Sequence, residues 1–363
     1  MRNLVAESLD AGAMGFSTGL VYTPGNYARL EEIIEISQEA ATRGKLYSTH
    51  MRDEGSQSIG LLVAVGEAIE IGRRTGVKVE ISHVKCKGPS VWGKAHQILE
   101  MMDQGISDGI DLAGDQYPYT ASSTFLSQAL IPQWALAGGR KATTSLINDA
   151  DEKQNLLVAI HERIAQYGTP ENVVISRHSP KPEFEGMTLA EIAKHNHSTA
   201  EESTIDLFLE SDGGVILHTY SEDDVETIAQ SSLISVGSDG SSLSTEGPLS
   251  SGKPHPRNFG TFPRFIRKFC REKNLISLTE AIRKMTSLPA SRLGLLNRGR
   301  IAPGFAADIV IFNKNEITDN ATFDEPFRYP SGINDVFVNG IHSIKSGKYT
   351  GKKHGRLITN FGD

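Results

Sequence analysis

The chain has 363 residues, 38% of them apolar and 22% charged, which is the balance of an ordinary globular protein long enough for one large domain with or without a small companion. Its net charge of -7 speaks against nucleic acid and anionic membrane as partners, and no apolar run reaches the ~18 residues of a membrane span. The opening MRNLVAESLD lacks the apolar stretch of a secretory signal, and two cysteines, Cys86 and Cys270, build no disulfide framework, so a cytoplasmic location is the plain expectation.

The first strand-like run, GAMGFSTGL, contains Gly15-Phe16-Ser17-Thr18-Gly19. That matches the G-x-S-x-G turn of serine hydrolases, which requires a helix directly after the serine. Here LVYTPGNYA follows, with Pro24 and Gly25, and the next helical pattern starts near Arg29. A strand of small residues inside a barrel is therefore the competing reading. RLEEIIEISQEAATRG places Leu30, Ile33, Ile34, Ala40 and Ala41 on one face and stops at Gly44, as a helix does. KLYSTH is strand-like, SIGLLVAVGEAIEIGRRTG helical as far as Gly76, and VKVEISH a strand rich in β-branched residues. VWGKAHQILEMMDQG is a third helix and DGIDLAGDQYPY holds a further strand. Strand and helix alternating every ~30 residues predict a parallel sheet covered by helices.

Residues 120–170 read as irregular, around Pro132, Gly138 and Gly139, with a helix near 151–166. Strands are predicted at NVVIS, GVILHTY and LISVGSD, and helices at 261–273 and 278–288. A boundary is predicted near Gly299, dividing a barrel unit of residues 1–298 from a tail of residues 299–363 with short strands and glycine turns.

Three polar residues fall at the C-terminal ends of predicted strands: His50 in YSTHMRDEG, His83 in EISHVKCKG and Asp239 in SVGSDGSS. In a βα barrel that end carries the active site. Two imidazoles and a carboxylate suit a divalent metal such as zinc, and an aspartate beside an activated water can move its proton. The bland alternative is a set of hydrogen-bonded loop residues, and a catalytic zinc commonly has three protein ligands. Weaker candidates are Cys86, three residues after His83, and His218 at the end of VILHTY. His195 and His197 read as a solvated turn, and a Ser17–Asp239–His255 triad has its histidine in a proline-flanked loop.

Together GAMGFSTGLVYTPGNYA, STHMRDEG, ISHVKCKGPSVWGK, DQYPYTASST, VGSDG, HPRNFGTFPR, KMTSLPASRLGL and RGRIAPGFAADIVIF resemble, in order, the D-aminoacylase (N-acyl-D-amino-acid deacylase) family of the amidohydrolase superfamily. The resemblance implies an α/β fold, a TIM-like (β/α) barrel with a small β-sandwich portion. It implies zinc-dependent hydrolysis of an N-acyl-D-amino acid to a carboxylate and a free D-amino acid. By motif, His50 and His83 resemble the zinc ligands, and Asp239 the metal-site aspartate that acts as general base and acid. Tyr22, Lys85, Tyr117 and Ser123 fall where the family holds the substrate carboxylate. The family's leading His-x-His strand and its bridging residue have no counterpart here, since the first histidine is His50. The chain thus reads as the C-terminal portion of such an enzyme, lacking the first barrel strands, with weak zinc binding and low turnover expected. An N-acyl-D-glutamate enzyme, a dihydroorotase-like cyclic amidase and a non-catalytic remnant serving as a binding or assembly subunit are the alternatives. For an acidic substrate side chain the sequence offers Lys87, Arg52 and Arg257 as extra cations.

Overall fold

A computed structural model describes residues 1–359. A short helix, α1 (Arg2–Asp10), not foreseen in the sequence, leads into β1 (Gly15–Gly19). Next come α2 (Leu30–Ala41), β2 (Leu46–His50), α3 (Leu61–Thr75), β3 (Lys78–Ile81), α4 (Ala95–Ser107) and β4 (Leu112–Gln116). Helix α2 buries Ile33, Ile34, Ser37 and Ala40, the spacing of a single stripe, and α3 buries Leu61, Ala64, Val65, Ala68, Ile69 and Gly72. Helix α3 stops because Gly76 turns left-handed at φ 70°, its N–H returning to the Gly72 carbonyl, with Arg73 and Arg74 at the negative end of the helix dipole.

The strands of this part are parallel and stand in the order β1-β2-β3-β4-β8, with β8 spanning Ile234–Val236. Alternate residues serve opposite faces. Tyr47, Val79, Ile81, Leu112 and Ile234 join the apolar core under the helices. Ser17, Ser48, Glu80, Asp115 and Ser235 line a cavity of about 590 Å³ on the other face. The sheet is the barrel-like core that the alternation predicts.

The middle of the chain departs from the βα rhythm. Strands β5 (Ser122–Phe125), β6 (Val173–Arg177) and β7 (Gly214–Leu217) form a separate antiparallel sheet in the order β5-β7-β6. The stretch expected to be irregular holds β5 and helices at Leu126–Leu130, Gln133–Leu136, Gly139–Asn148 and Ala150–Gln166. Pro132 and Gly138 separate short helices there rather than marking a loop, and the Asp149 carboxylate caps the last helix by accepting the N–H groups of Asp151 and Glu152. Val173, Ile175, Val215 and Leu217 pack with Leu126, Leu130, Ile160 and Ile164 in a second core. The chain leaves the parallel sheet after β4, builds this layer, and returns at β8.

A further antiparallel sheet, in the order β12-β11-β10-β9, comprises β9 (Ile309–Phe312), β10 (Ile333–Val338), β11 (Ile341–Lys345) and β12 (Lys348–Tyr349). Residues 360–363 of the expected tail lie outside the described residues. Among the described residues no helix is long and apolar enough to cross a membrane.

One buried charge in the parallel sheet has a pH consequence. Glu80 is 7% exposed, and Arg292 reaches it with Nε 3.1 Å from Oε2 while its other nitrogens hold Asp111 and the Val79 carbonyl. Burial, with Asp115 adding repulsion and Arg292 opposing, pushes the Glu80 carboxyl up to about 7 from 4.5. A raised carboxyl pKa means that its contribution to stability is complete below about pH 4.5 and is lost as pH rises through about 7, a change of ~3 kcal/mol at ~1.4 kcal/mol per unit. Glu80→Gln is therefore expected to be more stable than the wild type in urea at pH 8, with the gap closing by about pH 5. An equal gap at both pH values would contradict this.

Candidate functional site

His50 is the last residue of β2, and His83 lies just beyond β3. His83 takes a left-handed backbone, φ 41°, and its N–H donates to Asp115 Oδ1 at 2.9 Å, so β4 fixes the position of a residue from β3. The two imidazoles meet edge to face with centroids 4.4 Å apart.

A third group joins them that strand-end reasoning missed. Glu54 follows His50 by four residues in the loop after β2. Asp53 folds that loop by accepting the N–H groups of Gly55 at 2.9 Å, Ser58 at 2.6 Å and Gly60 at 3.0 Å. Gly55 permits the close approach, because a Cβ there would stand 2.3 Å from the Lys87 carbonyl oxygen. The Lys87 N–H in turn donates to the Glu54 carbonyl at 2.9 Å. The loop is thereby pressed onto the segment after β3, with Glu54 Oε1 3.5 Å from His50 Nε2 and 3.0 Å from His83 Nδ1. One ligand atom from each of His50, Glu54 and His83 lies within 4.8 Å of the others. The signal available in the sequence was the acidic pair Asp53-Glu54 close behind a strand-end histidine.

Burial holds the His50 imidazole well below its ordinary pKa against the pull of Glu54, with His83 and Lys85 adding to the lowering. A neutral imidazole is the form that binds metal. Burial opposes ionisation of Glu54, but His50, Lys85 and His83 outweigh it and keep the carboxyl well below the usual range. Lys85, 5% exposed, pairs its ammonium with Glu54 and places Nζ 2.5 Å from His83 Nδ1. A cation thus already sits against two of the three donors. Two imidazoles and one ionised carboxylate, converging, with Glu54 and His83 buried and His50 half-buried, fit a divalent metal.

Asp239 follows β8 with φ 47° and faces the same cavity as His50 and His83, outside their tight cluster. Its Oδ2 is 2.8 Å from Arg257 Nη1, and the Arg257 guanidinium lies 4.7 Å from the centre of the Tyr117 ring. Tyr22, Lys85, Tyr117 and Ser123 line a narrower arm of the site together with His50 and His83. The Tyr22 ring stands 4.9 Å from that of His50, and the Tyr117 hydroxyl meets that of Tyr220 at 3.1 Å. Burial pushes both the Tyr22 and Tyr117 phenols up.

The remaining candidates fall elsewhere. Ser17 faces the cavity from β1, but no α-helix follows until Leu30. Both ring nitrogens of His255 are occupied: Nε2 donates to the Ala121 carbonyl at 2.9 Å and Nδ1 accepts the Arg257 N–H at 3.0 Å. No triad assembles among Ser17, Asp239 and His255. Cys86 is packed in the apolar core, His218 rests on Phe323 with centroids 4.6 Å apart, and His195 and His197 are exposed.

The amidohydrolase family pattern matches residues 236–347. The chain is 36% identical over 340 residues to an N-acyl-D-glutamate deacylase of Alcaligenes xylosoxydans xylosoxydans, covering 94% of this chain and 60% of that one. It is 32% identical over 358 residues to a D-aminoacylase of the same organism, with 99% and 64% covered. The crystal structure of an N-acyl-D-glutamate deacylase from Bordetella bronchiseptica, complexed with zinc and a phosphonate mimic of the tetrahedral intermediate, superposes with a TM-score of 0.78 at 33% identity. That match covers 96% of this chain and 64% of the other. The chain spans a little under two thirds of the length of these relatives.

Proposed function

From the chain's similarity to deacylases of the D-aminoacylase branch of the amidohydrolases, we propose that it belongs with them and serves metal-dependent hydrolysis of the amide bond in N-acyl-D-amino acids. The observation that carries this reading is the convergence of His50, Glu54 and His83 at a cavity that Asp239 also lines. His50, His83 and Glu54 would hold the ion, and zinc suits that donor set. What such an ion supplies when bound is Lewis acidity, toward the amide carbonyl and toward water.

The chain's own groups do the rest. Asp239, oriented by Arg257, accepts the proton of the attacking water as the C–O bond forms at the carbonyl carbon, and then delivers that proton to the amide nitrogen as the C–N bond breaks and the amine departs. Tyr22, Tyr117 and Ser123 offer hydroxyl donors to the carboxylate of the substrate, and Lys85 offers an ammonium that is at present shared with Glu54 and His83. Fixing the carboxylate in this arm presents the scissile amide to Asp239 in one orientation, which is the basis for choosing one enantiomer.

The test is stereoselective turnover joined to metal content. The zinc-loaded chain is expected to release free amino acid at a low rate from N-acetyl-D-methionine and not from its L-enantiomer, to stop with a chelator and to recover with zinc. His83→Ala is expected to lose bound zinc. Folded wild-type protein that takes up no metal would overturn the reading and favour a non-catalytic binding or assembly subunit.

A further inference from the structure

The arm of the site beyond the histidines holds a positive charge with nothing to balance it. Four basic residues stand in this neighbourhood, and three are committed. Arg52 is clasped by Glu67, with Nε and Nη2 each 2.8–3.1 Å from carboxylate oxygens, and its Nη1 donates to the Asn26 carbonyl at 2.8 Å. Arg257 is paired with Asp239, and Lys85 with Glu54. Lys87 differs. Its ammonium lies 5.3 Å from the centre of the Tyr167 ring, and among the described residues it has no carboxylate or hydrogen-bond partner.

The placement of Lys87 is built rather than incidental. Lys85 and Lys87 both line this arm, while Cys86 between them is buried in the apolar core. Its backbone N–H donates to the Glu54 carbonyl, and the next residue, Gly88, donates to the Thr219 carbonyl, each at 2.9 Å. The lysine is half-buried, so its charge has lost part of its water. Gln57 and Gln128 bring polar amides to the same wall, and the Gln57 amide is steadied by donating to the Tyr167 hydroxyl at 2.7 Å. A partly desolvated ammonium in a polar arm is a receptor for an anion.

We propose that Lys87 determines specificity by binding an acidic side chain on the D-amino acid, so that N-acyl-D-glutamate or N-acyl-D-aspartate is preferred to neutral substrates. This rests on the functional reading above and names its substrate class. The substrate then carries two carboxylates into an arm with two lysines: the one beside the scissile amide goes to the Lys85 group, the other to Lys87. Neutral side chains leave Lys87 unpaired.

The experiment compares N-acetyl-D-glutamate with N-acetyl-D-methionine on the zinc-loaded full chain, for wild type, Lys87→Met and Lys87→Arg, by calorimetric binding with turnover in parallel. Wild type is expected to favour the glutamate compound, and Lys87→Met to lower the glutamate-to-methionine ratio by about tenfold to a hundredfold, the effect of losing one charged hydrogen bond. Lys87→Arg is expected to keep most of the preference. A wild type without the preference, a Lys87→Met variant that weakens both compounds alike, or no binding of either compound would overturn the proposal. A Lys87-dependent preference in binding without hydrolysis of either compound would instead remove the assigned reaction and leave the role of Lys87 standing.

Discussion

Replacing Glu54 by alanine is expected to do more damage than any other single change at the site, in stability and in metal affinity together. Its carboxylate is buried against two imidazoles and the Lys85 ammonium, which is itself 5% exposed. Removing one partner of a buried pair leaves the other charge uncompensated, which costs about 3–5 kcal/mol. The sign of the pH dependence follows from the depressed carboxyl pKa. The contribution of Glu54 is present above the ordinary range near 4.5 and is lost as pH falls through its lower folded value. Urea unfolding with a chelator present isolates the first effect: the alanine variant should fall well below wild type at pH 7, with less of a gap in strong acid. Zinc titration of the isosteric Glu54→Gln variant isolates the second, and a metal affinity equal to wild type would remove Glu54 from the ligand set.

That Glu54 was illegible beforehand, while His50 and His83 were not, has a physical cause. The histidines sit in the strand-end register, which hydrophobic alternation exposes directly in KLYSTH and VKVEISH. The side chain of Glu54 owes its position to a loop. The turn folded by Asp53 is local, but the missing side chain of Gly55 brings it over the histidines only through contact with Lys87, some 30 residues away. An acidic pair in a sequence does not say which carboxylate ties the turn and which turns inward. The same limit governs the middle of the chain. The short apolar runs NVVIS and GVIL are legible as strands, but their antiparallel pairing is not, because an apolar run carries neither a direction nor a partner. Lys85 and Lys87 are alike in sequence, and only the three-dimensional distribution of carboxylates separates the paired lysine from the unpaired one.

Asp239→Asn is expected to have the second large effect, and to separate two roles that the sequence leaves joined. As a metal ligand, Asp239 would take zinc affinity with it when changed. As the proton carrier, it would take only turnover. The geometry favours the second, since Asp239 lies outside the cluster of His50, Glu54 and His83 and its charge is held by Arg257 at 2.8 Å. An asparagine keeps the shape and a hydrogen-bond acceptor but cannot carry the proton, so kcat should fall by ~10²–10⁴. Zinc stoichiometry should stay at the wild-type value. Stability should fall as well, because the Asp239 side chain, though 41% exposed, is the ion-pair partner of the buried Arg257 guanidinium, which asparagine leaves uncompensated, so zinc and kcat are read on folded protein. Turnover by the zinc-loaded variant within a few fold of wild type would exclude Asp239 as the proton carrier. Loss of zinc together with turnover would make it a ligand and move the centre of the site from the loop after β2 toward β8.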